Sequence, residues 1–188
     1  MYFNFSCTDN LNDQPHFEPL LFQNEDFLSI DELIKITDDI SDSKFDFENE
    51  RINIDQLERN LKKSLSPLVE NGRHLHVKLL NNINRNGEAN KLSRIELKEI
   101  QDLTDQQLAE FSFAINYSNH NLSVDPRLKA CLSSALGLVG LYDLYRNTHL
   151  LGSAQSIIKA MRLVGRRALG WIGVGLMIMD FTDCYYVL

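Results

Sequence analysis

The sequence predicts an all-α chain in two parts: an acidic N-terminal helical region, then a compact glycine-rich C-terminal helical hairpin or three-helix unit. Three observations predict it. Helix starts recur as a Ser or Thr followed three residues later by Glu or Gln, at Ser29/Glu32, Ser93/Glu96 and Thr104/Gln107, a reciprocal cap that satisfies two orphan N–H groups. Apolar residues after these starts return at spacings of three and four, the period of one helix face. Charge and glycine divide the chain at one place: there are 12 Lys and Arg against 22 Asp and Glu over residues 1–124 (net −10), and 7 against 4 over residues 125–188 (net +3), within an overall −7. Seven of the nine glycines fall between Gly137 and Gly175.

Residues 1–28 show no sustained period and carry Pro15 and Pro19, which predicts an irregular arm pinned by Phe17, Leu20, Leu21, Phe22, Phe27 and Leu28. Ser29 opens a first helix with Ile30, Leu33, Ile34 and Ile36 on one face, ending near Ile40; residues 41–50 read as a polar, acidic connection. Asn53 caps a second helix carrying Ile54, Leu57, Leu61 and Leu65. Ser66 and Pro67 read as an N-cap with proline at the first helical position, opening a third helix toward Ile83 that Gly72 weakens. Residues 74–79 also alternate as a strand would, which would place His74 and His76 on one face. No third ligand stands near, so the pair reads as solvated rather than metal-binding. A turn at residues 84–87 precedes the helices from Ser93 and Thr104, whose apolar positions include Ile95, Leu97, Ile100, Leu108, Phe111, Phe113 and Ile115. The polar stretch 117–123 is the predicted boundary between the acidic region, 29–123, and the cationic region, 124–188.

Asp125 and Pro126 open a helix toward Asn147. Glycine inside a water-exposed helix costs about 1 kcal/mol relative to alanine, so the small residues Gly137, Gly152, Ser156, Ala160, Gly165 and Gly173 predict close helix-to-helix contact. This region is expected to hold most of the buried apolar surface. Its uncharged runs, 130–142 and 168–179, fall short of the roughly 20 residues that span a bilayer. Arg162, Arg166 and Arg167 before the second run, with Trp171 inside it, suit a segment that rests at an anionic membrane surface. A buried amphipathic hairpin is the other reading of the same residues.

Cys131 and Cys184, 53 residues apart, can form a disulfide in an oxidising compartment, and three reduced, buried thiols are equally open. Around Cys7, the run Phe5-Ser6-Cys7-Thr8-Asp9-Asn10 resembles the processing site of a bacterial lipoprotein, although Asn4 stands where an apolar residue belongs. That resemblance implies lipidation at Cys7. The net acidity argues against a nucleic-acid partner. No nucleophile elbow, phosphate loop or zinc spacing is present, so the chain reads as a non-enzyme without cofactor or metal.

Asp143-Leu144-Tyr145, the turn at Asn147-Thr148, Gly152, Val164-Gly165-Arg166-Arg167, Leu169-Gly170-Trp171-Ile172-Gly173-Val174 and Asp180-Phe181-Thr182-Asp183-Cys184 together resemble the C-terminal region of bacteriocin-like proteins of Gram-negative bacteria. The resemblance covers about the last 60 residues and is one of composition and spacing. It implies a glycine-rich helical region that acts on target membranes, a precursor with a lipoprotein or leader portion, and an immunity protein as partner. The resulting expectation is an antibacterial, pore-forming protein whose acidic part keeps the cationic helices soluble. Such a protein would be secreted or associated with the cell envelope, or cytoplasmic if it begins as given. The alternative is a non-enzymatic helical adaptor or lipoprotein whose C-terminal hairpin is a packing or oligomerisation core.

Overall fold

The computed structural model describes residues 21–49, 51–121, 127, 130–131, 134–135 and 154–186. The described segments are helical, with no strand among them. Helix α1 (Ile30–Glu48) starts behind Ser29, whose Oγ accepts the Glu32 N–H while the Glu32 carboxylate accepts the Ser29 N–H. Helix α2 (Ile54–Ser64) starts behind Asn53, which accepts the Gln56 N–H at 2.9 Å. Helix α3 (Ser66–Arg85) follows after Leu65 with Pro67 in its first turn. Leu65, not Ser66, holds the cap position, and no side chain bonds there. Ser93 and Glu96 cap α4 (Arg94–Gln101), and Thr104 and Gln107 cap α5 (Asp105–Asn121). Two helices of the cationic region complete the described chain, α6 (Ala154–Gly165) and α7 (Trp171–Tyr186).

Two expectations are corrected here. α1 does not stop near Ile40 but runs to Glu48, because Asp42 and Glu48 face solvent and the buried Ser43 hydroxyl bonds back to the Asp39 carbonyl, so the polar stretch leaves the backbone ladder intact. Residues 117–121, read as an irregular polar stretch, instead form the end of α5, where Tyr117 and Ser118 are fully buried. The third helix is as expected and includes residues 74–79, where His74 bonds Asp26 and His76 bonds the Ile100 carbonyl.

Of the irregular arm, residues 1–20 lie outside the described residues, and the rest is pinned as expected. Leu21 and Phe22 are buried, and a 3-10 turn at Asn24–Asp26 brings the Asp26 carboxylate, 3% exposed, against α3. It accepts from the Gln23 N–H at 2.7 Å, from His74 Nε2 at 2.7 Å and from Lys78 Nζ at 2.5 and 2.6 Å. Burial alone would raise this carboxyl, but the Gln23 N–H together with Lys78 and His74 holds it below its ordinary range. Asn71 of α3 donates to the Asp26 carbonyl at 2.7 Å and accepts from Ser112 and Asn116 of α5, both at 2.8 Å. Asn116 in turn accepts the Leu28 N–H at 2.7 Å.

One apolar core runs through both regions: Leu33, Ile36 and Ile40 of α1, Leu75 and Leu79 of α3, Phe111 and Phe113 of α5, and Val174, Ile178 and Phe181 of α7 all belong to it. Among the described residues, helices α1 to α5 supply most of the buried apolar side chains; most of residues 125–153 of the cationic region lie outside the described residues. Phe113, Tyr117 and Phe181 pack with ring centroids 4.7 to 5.2 Å apart, fastening α7 to α5.

Among the described residues, the closest crossing that requires glycine lies in the acidic region. A Cβ on Gly72 would collide with the Leu108 carbonyl oxygen of α5 and stand 2.8 Å from its carbonyl carbon. Gly165 fits the small-residue expectation, since a Cβ there would stand 2.9 Å from the Glu99 carbonyl oxygen of α4. Among the described residues, a Cβ on Gly173 would meet the Leu169 side chain, 3.3 Å away and just ahead of its own helix. Ala160 is buried on α6, which also carries Ser156; Gly137 and Gly152 lie outside the described residues. Gly72→Ala should therefore destabilise by roughly 1–3 kcal/mol or more, as overpacking of a tight contact does. Gly173→Ala should change stability little, and urea unfolding of the two variants checks the contrast.

Candidate functional site

The arginines singled out in the sequence meet the acidic region at one junction, where α6 ends against α4 and α5 and α7 begins against α5. α4 is short, and its first-turn carboxylate has two tasks. Glu96 Oε2 accepts the Ser93 N–H at 2.8 Å, closing the helix cap, while Oε1 takes Arg162 at 2.7 Å. One turn on, Glu99 takes Arg162 Nε at 2.9 Å and Arg166 Nε at 3.0 Å. Carboxylates three apart on one face of α4 thus oppose the guanidinium groups of Arg162, in the last turn of α6, and Arg166, just past its end. The bond to Arg166, with that to Arg162, holds the Glu99 carboxyl below its ordinary range.

Gln107 joins two helix ends. Its Oε1 accepts the Thr104 N–H at 2.8 Å at the start of α5, and its Nε2 donates to the Gly165 and Arg167 carbonyls at 2.9 and 2.8 Å beyond the end of α6. A helix C-terminus leaves such carbonyls without intrahelical donors. Gly165 permits the approach, with its Cα close under the Glu99 carbonyl.

Arg167 extends from the α6–α7 connection to Glu110 Oε1 of α5. Glu110 is 1% exposed, and its Oε2 has no hydrogen-bond partner. Burial pushes this carboxyl up to about 7, outweighing the pull of the Arg167 charge. Trp171 opens α7 and is 7% exposed, with Lys62 Nζ 5.8 Å from its ring centroid.

In this fold Arg162, Arg166, Arg167 and Trp171, the residues expected at a membrane surface, face the acidic region. The Arg162 and Arg167 side chains are each 23% exposed, only Arg166 at 57% reaches well into water, and all three are bonded to carboxylates. Composition registers the cations but not the carboxylates that oppose them. Glu96 and Gln107 were legible in the sequence only as caps. Glu110 had a signal of its own, an ionisable residue inside the apolar run 108–113, and such groups are rarely fully buried without a partner.

Cys131 and Cys184 are joined, with Cα atoms 5.5 Å apart, tying the helical residues near 131 to the end of α7. In the chain-entropy account a loop of this length stabilises by about 4 kcal/mol. Cys7 lies outside the described residues. Among the described residues no group of three His, Cys, Asp or Glu side chains could hold a metal ion, and no helix is long and apolar enough to cross a membrane. No protein family, curated protein or solved structure matches the chain.

The partly exposed pairs and the Gln107 bridge should behave differently on mutation. Glu99→Gln should cost little and lose its effect at high salt, as surface pairs do. Because the folded Glu99 carboxyl lies below its unfolded value, its contribution is present above the unfolded value and lost as pH falls through the folded one. The variant should therefore match the parent near pH 3 and fall below it near pH 6. Gln107→Ala leaves the carbonyls of Gly165 and Arg167 without this donor and should cost about 1–2 kcal/mol at any salt concentration. Thermal melts across salt and pH check both.

Proposed function

We propose that the chain is a latent membrane-active protein, non-enzymatic and without a cofactor, in which the acidic helices hold a cationic, apolar hairpin away from lipid. One observation carries the reading: each of the three arginines that precede α7 is bonded to a carboxylate of the acidic region. Release of the junction would free three guanidinium groups together with the apolar face of α7, which carries Val174, Met177, Ile178 and Phe181. Each cation near an anionic surface contributes about 1 kcal/mol of attraction, screened by salt. Because α7 is too short to span a bilayer alone, the freed hairpin would lie at the interface and insert by association with other copies. The Cys131–Cys184 bond supports a secreted or envelope location, where such bonds persist. An antibacterial role would bring an immunity protein as partner, as the bacteriocin-like resemblance implies.

A second reading rests on a different observation. Val174, Ile178 and Phe181 share one core with Leu33, Leu75 and Phe113, which is the arrangement of a helical adaptor or lipoprotein whose hairpin serves packing or oligomerisation.

Dye leakage from vesicles rich in phosphatidylglycerol separates the two. The whole chain should leak them weakly, and a Glu96→Gln, Glu99→Gln variant, which frees Arg162 and Arg166, several-fold more, less so in high salt and not from phosphatidylcholine vesicles. Trp171 fluorescence cannot replace that assay, since the ring is out of water before any lipid is added. If the variant neither sediments with anionic vesicles nor leaks them, the membrane reading is lost and the adaptor stands.

A further inference from the structure

Glu110 differs in kind from the other carboxylates of the junction. It sits in the middle of α5 between Ala109 and Phe111, both fully buried, while Glu99 belongs to a partly exposed ladder. Its Oε1 accepts from Arg167, and among the described residues Oε2 meets no donor. The elements packed against α5 bring other charges, all engaged elsewhere or turned to water. Arg73 of α3 is held by Asp105, and His74 and Lys78 of α3 by Asp26. His76 of α3 is bonded to the Ile100 carbonyl. Arg162 and Arg166 are held by Glu96 and Glu99. Glu70 and Arg85 of α3, Lys159 of α6, Asp180 and Asp183 of α7, and the carboxylates and Lys35 in the first half of α1 are exposed. Among the described residues, Arg167 alone acts on the Glu110 charge.

We propose that Glu110 and Arg167 form a proton-operated lock on the α6–α7 connection, tightest when Glu110 is neutral and loosened when it ionises. An ionised carboxylate in a dry site carries a large desolvation penalty, and one partly hydrated guanidinium offsets only part of it. A neutral carboxyl still accepts from Arg167 through its carbonyl oxygen, and its protonated oxygen is a far smaller burden than a charge. Opening the connection hydrates Glu110, so ionisation favours the open form.

The direction is the reverse of ordinary acid denaturation. The folded carboxyl, raised to about 7, keeps a proton that the unfolded chain releases near 4.5. Stability from this group is therefore fully present below the unfolded value and is lost as pH rises toward the folded one. The lock is tightest in mild acid and weakest above neutrality. It concerns the junction itself and holds whether or not the chain acts on lipid.

The test uses the whole chain. Urea unfolding should show the folding equilibrium constant falling about tenfold between pH 6 and pH 8, with no such fall in Glu110→Gln. In native-state hydrogen exchange corrected for intrinsic rates, the amides of residues 165–171 should lose protection over the same interval, well ahead of those in the middle of α3. Carbon NMR of glutamate-labelled protein should show one carboxyl titrating near 7, absent from Glu110→Gln. If every glutamate in the parent titrates below about 5.5, or if Glu110→Gln keeps the parent's pH dependence, the proposal is overturned. Uniform loss of protection across all helices would overturn the lock as a local device. Since none of these measurements involves a membrane, their failure is distinct from failure of the leakage assay.

Discussion

The absence of a side chain at Gly72 sets how closely α5 can lie on α3, and the other attachments follow from that crossing. With the Leu108 carbonyl seated over Gly72, successive turns of α5 face three different parts of the chain. Gln107 and Glu110 reach the end of α6 and the α6–α7 connection. Phe113 and Tyr117 meet Phe181 of α7. Ser112 and Asn116 meet Asn71, and through it the arm at Asp26 and Leu28. A methyl group at position 72 would push α5 outward and disturb all three at once, because packed interiors shift rather than compress.

The same geometry accounts for the division of charge along the chain. A net −10 region joined to a net +3 region suggests two bodies of different purpose, yet the cations nearest the boundary of α6 and α7 are matched by carboxylates of α4 and α5. The matching is not uniform in kind. Glu96 and Glu99 form partly exposed, salt-sensitive pairs that contribute little individually. Glu110 is the opposite case, a charge whose burial outweighs its partner. The junction thus combines surface pairs that favour ionisation with an interior pair that opposes it.

What the sequence made legible was local. Ser29, Asn53, Ser93 and Thr104 each cap a helix through an atom three residues away, and a short-range rule can find such bonds. The all-α class follows from those caps together with the apolar period. The partners of Arg162, Arg166 and Arg167 stand 63, 67 and 57 residues away in the chain, and no local rule connects them. Gly72 was misjudged because a glycine looks the same in sequence whether it faces another backbone, as Gly72 faces Leu108, or a flexible side chain, as Gly173 faces Leu169. The polar run at residues 117–121 suggested an end to α5, but Tyr117 and Ser118 are covered by their neighbours, and burial overrides polarity when a hydroxyl can bond back to its own helix, as Ser118 does to the Ala114 carbonyl.

Magnitudes limit how a membrane could act on this fold. Attraction of three arginines to an anionic surface is worth about 3 kcal/mol at about 1 kcal/mol each. Lifting Val174, Met177, Ile178 and Phe181 of α7 out of the core would forfeit roughly 1.5–3 kcal/mol for every side chain left in water. Surface charge alone therefore cannot open the hairpin into solvent. The exchange balances only if the apolar face passes directly from protein to lipid. The Cys131–Cys184 bond adds a covalent tie at the far end of α7, so loosening begins at the end that is held by Arg167 and Gln107. A membrane-active form, on these terms, is one in which α7 swings about its C-terminal tie and keeps its apolar face covered throughout.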